Sequence, residues 1–306
     1  MKVLVATEKP FAAVAVNGIK EIVEGAGYEF ALLEKYGSPA ELAEAAKTAD
    51  ALIVRSDKVT AELLAAAPQL KIVVRAGAGY DNVDLDAATK AGVVVENTPG
   101  QNSNAVAELV FGLLVMAVRN MYAGTSGSEL KGKRLGIHAF GQVGRNVARI
   151  AKGFDMTVSA LDPFCPDEVM TAAGVEPVHK LEDLYRENKF VSLHIPATPE
   201  TRGSVGYGLV TLMPKDGVLV NTARKEVIDE EGLCRALRER PDLKYVADIR
   251  PDCADAMEAE FAGRVFFTPK KMGAQTAEAN INAGLAAARQ IVAFFTDGDT
   301  RFKVNK

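Results

Sequence analysis

The chain has 306 residues, 48% of them hydrophobic and 25% charged, the values of a folded globular protein and not of a disordered one. At roughly 100–200 residues per domain, that length predicts about two domains. A formal net charge of −4 and a pI near 5.6 give no general electrostatic reason to bind nucleic acid or an anionic membrane, and leave small anionic substrates open through local clusters of Arg and Lys. The three cysteines, Cys165, Cys234 and Cys253, are far apart and lack metal-ligand spacing, so neither a disulfide framework nor a metal site is expected and a reducing cytosol fits. The longest nearly apolar run, Ala105–Val118, carries Glu108 and is too short to span a bilayer, and MKVLVA does not read as a signal peptide.

Short apolar runs closed by Gly, Pro, Asp or Asn predict strands at Val3–Ala6, Ala51–Val54, Ile72–Arg75, Val93–Glu96, Leu135–Ala139, Thr157–Leu161, Phe190–His194, Val218–Asn221, Tyr245–Asp248 and Val265–Thr268. Helical spacing of apolar residues fills most of the gaps, for example at Ala40–Thr48, Ala61–Ala67, Gly144–Phe154 and Glu230–Arg240. Such alternation predicts right-handed βαβ units and buried parallel sheets. It is interrupted around Asn97–Arg119, where the chain runs as one long helix, AVAELVFGLLVMAVRN, apolar nearly all round, preceded by Asn102, Ser103 and Asn104 and followed by the Gly/Ser-rich connection Ala123–Gly127. A second α/β domain is expected after that break, with the last helix, Ala277–Phe295, returning to the first.

The clearest chemistry lies in RLGIHAFGQVGRNVARIAKGFDMTVSALDPF, Arg134–Phe164. A strand ends at Ala139, the turn Phe140-Gly141-Gln142-Val143-Gly144 follows, and a helix begins. Gly141 lets the backbone approach a pyrophosphate and Gly144 lets the helix pack on the strand, with phosphates at the positive end of the helix dipole. Asp162 closes the next strand, where a carboxylate accepts bonds from ribose hydroxyls and repels the extra phosphate of NADP; the pattern therefore points to NAD. Ala139 stands where the first Gly of GxGxxG belongs, so that tight turn is made with a Cβ present.

With these residues in view, the chain resembles the D-isomer-specific 2-hydroxyacid dehydrogenases, and among them the short phosphoglycerate dehydrogenases. The resemblance rests on LIVRSDKVTAELL (Leu52–Leu64), VVRAGAGYDNVDLDAATKAGVVVENTPGQNSNAVAEL (Val73–Leu109), the nucleotide loop, SLHIPATPETRG (Ser192–Gly203), VLVNTARKEVIDEEGL (Val218–Leu233) and TPKKMGAQT (Thr268–Thr276), in the family's order. It implies two doubly wound parallel-sheet domains: a flavodoxin-like substrate domain from residues 1–96 and 278–306, and a Rossmann-like NAD domain inserted as 97–277 whose long helix pairs subunits into a homodimer. It assigns catalysis to Arg224, a guanidinium clamping a 2-keto or 2-hydroxy carboxylate. Cofactor contacts fall on Ala78, Gly141, Gln142, Val143, Gly144, Asp162, His194, Pro196, Thr222, Ala223, Asp248, Gly273 and Ala274. Substrate contacts fall on Arg55, Lys58 and Arg75 for a phosphate, the amides of Ala76-Gly77-Ala78-Gly79 for a carboxylate, and Asn102 and Lys270. Each of these also has a plainer reading: solvated cations at sheet ends for the three basic residues, and helix N-capping for Asn102.

Two family features are replaced. No histidine lies in the block where relatives carry the proton-transferring His: His138 reads as core and His179 as surface, while His194 ends a strand beside the cofactor. Thr268-Pro269-Lys270-Lys271-Met272-Gly273 instead places Lys271, or by the other alignment Lys270, at that position. Cys253 occupies the orienting Glu spacing, leaving Asp252 as the candidate carboxylate beside the lysine. The expectation is an NAD-dependent D-3-phosphoglycerate dehydrogenase of the serine pathway; the alternatives are a hydroxypyruvate or glyoxylate reductase, or a non-catalytic NAD-sensing protein. Since the sequence stops soon after the last helix, serine feedback through an added domain is not expected.

Overall fold

The structure, a computed structural model, describes residues 1–305 and falls into two compact units: Met1–Asn102 with the segment from Gln275 onward, and Ser103–Ala274. In the first unit β1 (Lys2–Thr7), α1 (Ala13–Gly25), β2 (Glu29–Glu34), α2 (Pro39–Ala46), β3 (Ala51–Val54), α3 (Ala61–Ala66), β4 (Ile72–Arg75), α4 (Leu85–Lys90) and β5 (Val94–Asn97) follow in turn. The strands form one parallel sheet in the order β2-β1-β3-β4-β5. Side chains alternate across it, so Val3, Val5, Ile53 and Val74 pack on one face while Leu4, Ala6, Leu52 and Val73 pack on the other. Both faces are buried, which is why β1, β3 and β4 read as unbroken apolar runs.

The second unit opens on α5 (Ser103–Val118) and continues through β6 (Arg134–His138), α6 (Gln142–Gly153), β7 (Thr157–Leu161), α7 (Asp167–Ala172), β8 (Glu176–Pro177) and α8 (Leu181–Glu187). It ends with β9 (Phe190–Leu193), α9 (Tyr207–Val210), β10 (Val218–Asn221), α10 (Glu230–Glu239), β11 (Lys244–Ala247), α11 (Ala254–Glu260) and β12 (Val265–Phe267). Its sheet is parallel in the order β12-β11-β10-β9-β6-β7-β8. One face packs on α5 and α6 through Leu114, Ala117, Val147 and Ala151, the other on α8 and α10 through Leu184, Leu233 and Leu237. The chain then rejoins the first unit as α12 (Ala277–Asp297), whose Leu285 sits so close to Gly18 of α1 that a Cβ there would lie 2.6 Å away.

Three features differ from the sequence reading. The long helix starts at Ser103, two residues ahead of the apolar run that opens at Ala105, while Asn97 closes β5, its carbonyl accepts a bond from Gln290 Nε2 (3.1 Å), and the Thr98 amide donates to Gly77 O (3.0 Å). Residues 97–102 therefore belong with the first unit, as do 275–277, where Thr276 caps α12 by accepting the Ala279 amide. Strands β2 and β8 lie at sheet edges, and β2 has no fully buried residue, so EFALLE lacks the apolar signature of its neighbours. Among the described residues no helix is long and apolar enough to cross a membrane.

Candidate active site

In open parallel sheets the binding crevice lies beyond the carboxyl ends of the strands, where the strand order reverses. In the second unit that reversal falls between β6 and β9. The residues assigned to cofactor and catalysis there all follow strands at this one edge: Gly141–Gly144 after β6, Asp162 after β7, His194 and Pro196 after β9, Thr222–Arg224 after β10, Asp248 after β11 and Lys270–Gly273 after β12.

Gly141 precedes α6 and offers no side chain to cap it, so the first-turn amides of Gln142, Val143 and Gly144 face outward without intrahelical acceptors. Open space lies where a Gly141 Cβ would stand, whereas a Cβ on Gly144 would come 2.4 Å from Ala139 O. Ala139 itself takes φ 82°, the left-handed conformation that the missing Gly would accept without strain. Asp162 Oδ2 accepts the Phe140 amide (2.8 Å) and Oδ1 the Phe164 amide (2.9 Å), which ties the end of β7 to the loop after β6. Exposed amides at a helix N-terminus, a glycine gap and a carboxylate at the next strand end fit a dinucleotide.

His138 is buried with its Nδ1 3.3 Å from Tyr185 Oη, and burial pushes its imidazole down to about 4. His194 keeps partial exposure; its Nε2 lies 2.9 Å from Ser192 Oγ, and burial together with His138 pushes it down to about 3. Both rings are neutral at physiological pH, which makes neither a source of protons there. His179 is a surface residue beside Asp167.

Beyond β10, Asn221 pins the turn: its Oδ1 accepts the Ala223 amide and its Nδ2 donates to Arg224 O, both at 2.9 Å. The Arg224 side chain is exposed, and the buried Thr222 Oγ1 has no hydrogen-bond partner among the described residues. Asp252 is paired with Lys225, and its carboxylate is 80% exposed. The carboxylate bonded into the lysine loop is instead Asp248, whose oxygens accept the Met272 (2.6 Å) and Gly273 (2.8 Å) amides. Lys270 and Lys271 stand exposed on that loop; Gly273 is buried and Ala274, which closes the unit, is half-buried. Among the described residues no cluster of His, Cys, Asp and Glu is arranged to hold a metal.

In the first unit the sheet reverses between β1 and β3. Arg55 follows β3 there, and its guanidinium donates to Lys9 O (3.0 Å), Pro10 O (3.1 Å) and Asn280 Oδ1 (2.6 Å) above the Phe11 ring. Arg75, at the end of β4, donates from Nε to Arg55 O (2.9 Å). Gly77 has φ 152°, and a Cβ there would lie 1.6 Å from Arg75 Nη1, so only glycine leaves room for this guanidinium. Burial lowers both arginine pKa values; Arg55 lowers that of Arg75 further, opposed by Asp81, while Asp57 opposes the fall at Arg55. Neither arginine is ion-paired with a carboxylate among the described residues, so two partly desolvated cations repel each other side by side.

Lys58 is not with them; it lines a surface hollow with Glu8, Tyr36 and Asp57. Of the four amides in Ala76–Gly79, those of Ala76 and Gly77 are used internally, on Val54 O and Arg75 O, leaving Ala78 and Gly79. Asn102 is half-buried, the last residue of the first unit. Asp57, which accepts the Glu8 amide (2.6 Å), the Tyr36 hydroxyl (2.6 Å) and the Arg55 amide (3.2 Å), and Asn280, 225 positions from Arg55, shape this site without having been legible as doing so. Asp57 carried a weak signal, an acidic residue two positions after a strand-end arginine; Asn280 carried none.

A model of the D-isomer specific 2-hydroxyacid dehydrogenase catalytic domain matches residues 6–305. The chain is 39% identical over 273 residues to a D-3-phosphoglycerate dehydrogenase of Methanocaldococcus jannaschii, covering 82% of this chain and 51% of that one. It thus spans about half the length of the curated phosphoglycerate dehydrogenases it matches. A glyoxylate reductase of Thermococcus litoralis is 34% identical over 301 residues, 91% of this chain and 90% of the relative. Among solved structures, the NAD+-bound 3-phosphoglycerate dehydrogenase of Entamoeba histolytica is 49% identical, with a TM-score of 0.85 over 100% of this chain and 99% of that one. The chain belongs to the D-isomer specific 2-hydroxyacid dehydrogenase family.

Proposed function

We propose that this protein is an NAD-dependent D-3-phosphoglycerate dehydrogenase, interconverting 3-phosphoglycerate and 3-phosphohydroxypyruvate. One observation carries the choice of a phosphorylated substrate: Arg55 and Arg75 are adjacent, partly desolvated and, among the described residues, not ion-paired with a carboxylate, an arrangement that a dianion relieves. Likeness to the Entamoeba histolytica enzyme, whose structure holds bound NAD+, supports the same reading. When bound, NAD+ would accept the hydride in the oxidative direction and NADH would donate it in the reductive one. The α6 amides and Gly141 hold its diphosphate, and Asp162 accepts from its ribose and repels a 2′-phosphate. Arg224 clamps the substrate carboxylate and carbonyl. Lys271 gives its proton to the oxygen as negative charge develops there. The reading extends to a homodimer in the cytosol, where the three free thiols would remain reduced.

The Thermococcus litoralis relative, matched over 90% of its length, favours a second reading as a glyoxylate or hydroxypyruvate reductase. NADH oxidation measured side by side with 3-phosphohydroxypyruvate, hydroxypyruvate and glyoxylate separates the two. Preference for the phosphorylated acid is expected. Preference for either of the others overturns the proposal, and tight NADH binding without turnover on any of them removes the enzymatic reading.

A further inference from the structure

We infer that Asp248 is a positioning residue for the lysine loop after β12, an inference that rests on reading Lys271 as the proton donor. Asp248 is completely buried at the end of β11. A buried carboxylate is tolerated only when hydrogen-bond donors surround it. Three donors reach it from one loop: the Met272 amide (2.6 Å) and the Thr268 hydroxyl (3.0 Å) to Oδ1, and the Gly273 amide (2.8 Å) to Oδ2. The Thr268 hydroxyl also lies 2.7 Å from the Asp248 carbonyl oxygen, its second acceptor.

The bonds grip the loop on either side of Pro269, Lys270 and Lys271, so one carboxylate fixes the main chain from which both lysines project. Gly273 makes the grip possible, because a Cβ there would lie 2.9 Å from Asp248 Oδ2 and 3.2 Å from Val106 Cγ2. All three groups donate, so Asp248 must accept through both oxygens. An asparagine accepts through one oxygen and turns its own donor toward a donor on the other side. Misplacing a reacting group by about 1 Å can cost roughly a hundredfold in rate, so the clamp acts on turnover without touching the substrate.

The experiment pairs hydrogen exchange at the Met272 and Gly273 amides with steady-state kinetics of full-length Asp248→Asn, Asp248→Ala and Thr268→Val. Expected in Asp248→Asn are faster exchange at both amides and, at saturating NADH, a kcat at least about tenfold lower. Asp248→Ala should be worse than Asp248→Asn, and Thr268→Val, which leaves the charge in place, milder than both. Unchanged exchange overturns the clamp. Lost NADH affinity with kcat intact at saturation overturns it also, in favour of a direct cofactor contact. Faster exchange with normal kcat, while Lys271→Met is inactive, overturns the positioning role and leaves the proton-donor reading standing. Full activity in both Lys270→Met and Lys271→Met instead removes that reading and the inference with it. If the Asp248 variants fail to fold, Thr268→Val and Gly273→Ala carry the test: normal exchange and kcat in both would overturn the inference.

Discussion

At the carboxyl edge of β3 and β4, the proposed anion site is built from two side chains, the guanidiniums of Arg55 and Arg75 held over main-chain oxygens. At the carboxyl edge of β6 and β7 it resides in main-chain amides opening α6, with a carboxylate, Asp162, alongside. The two sheets share a strand logic, all parallel with the strand order reversing at one point, and each places its candidate residues at the carboxyl edge. Architecture thus selects the location and the residue types select the chemistry. Full positive charge on side chains suits a terminal phosphate group. Fixed amides suit a diphosphate that must be held in one register, and the acidic neighbour adds discrimination that arginines lack.

The contrast is sharpest where catalysis is concerned, since the proton donor is assigned to the second unit alone. Lys271→Met should lower kcat by about 10²–10⁴-fold, the usual contribution of a general acid, while NADH binding followed by fluorescence persists. Lys270→Met should be milder. Near-normal turnover in Lys271→Met would move the role elsewhere. A lysine donor must lose its proton before it can accept one from the hydroxy acid, so oxidation should gain from alkaline pH while reduction stays fast at neutrality.

Asp162 provides the next break. Asp162→Ser removes the repulsion of a 2′-phosphate together with the acceptors of the Phe140 and Phe164 amides. NAD(H) affinity should fall by roughly tenfold and the preference over NADP(H) should narrow, read from KM values for both cofactors. A parent enzyme that already uses NADPH as well as NADH would contradict the assignment.

The two units should also respond to pH in opposite senses. Glu96, buried in the first unit, is held up to about 7, chiefly by burial and then by Asp299, opposed by the Phe302 amide and Arg301. The unfolded chain releases that proton near 4.5, so this contribution is complete below about 4.5 and is lost as pH rises through about 7. His138 and His194 in the second unit are pushed down from 6.5 to about 4 and about 3, so the stability they contribute is present above 6.5 and lost as pH falls toward those values. Glu96→Gln should stabilise the protein by an amount of order 1 kcal/mol at pH 8 and not at pH 4. His138→Phe should lessen the loss of stability between pH 6 and pH 4. Thermal melts across pH check both, and a Glu96→Gln gain independent of pH would contradict the first. The smallest effect is expected at Ala139. Ala139→Gly relieves a left-handed φ worth about 1–2 kcal/mol but adds unfolded-state freedom, for a net gain of about 1 kcal/mol or less. A clear loss of stability would show that the Ala139 methyl is needed for packing.

How far this was legible in the sequence follows burial. Strands β1, β3, β4, β6, β9 and β10 are buried on both faces, so their apolar runs stand out; β2 and β8 sit at edges and do not. The loop Gly141–Gly144 and Asp162 were legible because their chemistry depends on neighbours in sequence. Asn280 beside Arg55, Lys225 beside Asp252 and Met272 bonded to Asp248 were not, since each pairing joins segments that only the fold brings together. The stretch from Asn97 to Asn102 reads as part of the second domain because it leads directly into the apolar run of α5, whereas its hydrogen bonds go back to Gly77 and Gln290.

The division of labour between the two edges is tested most directly by kcat/KM of Arg55→Ala and the parent with 3-phosphohydroxypyruvate and with hydroxypyruvate. A charge-assisted contact is worth about 1.5–3 kcal/mol, so the phosphorylated substrate should lose roughly ten- to a hundredfold. Hydroxypyruvate, lacking the phosphate, should lose no more than about threefold, with NADH affinity unchanged. Equal losses for both substrates would contradict a phosphate role for Arg55 and, with it, the assignment of the first unit's edge to the anion of the substrate.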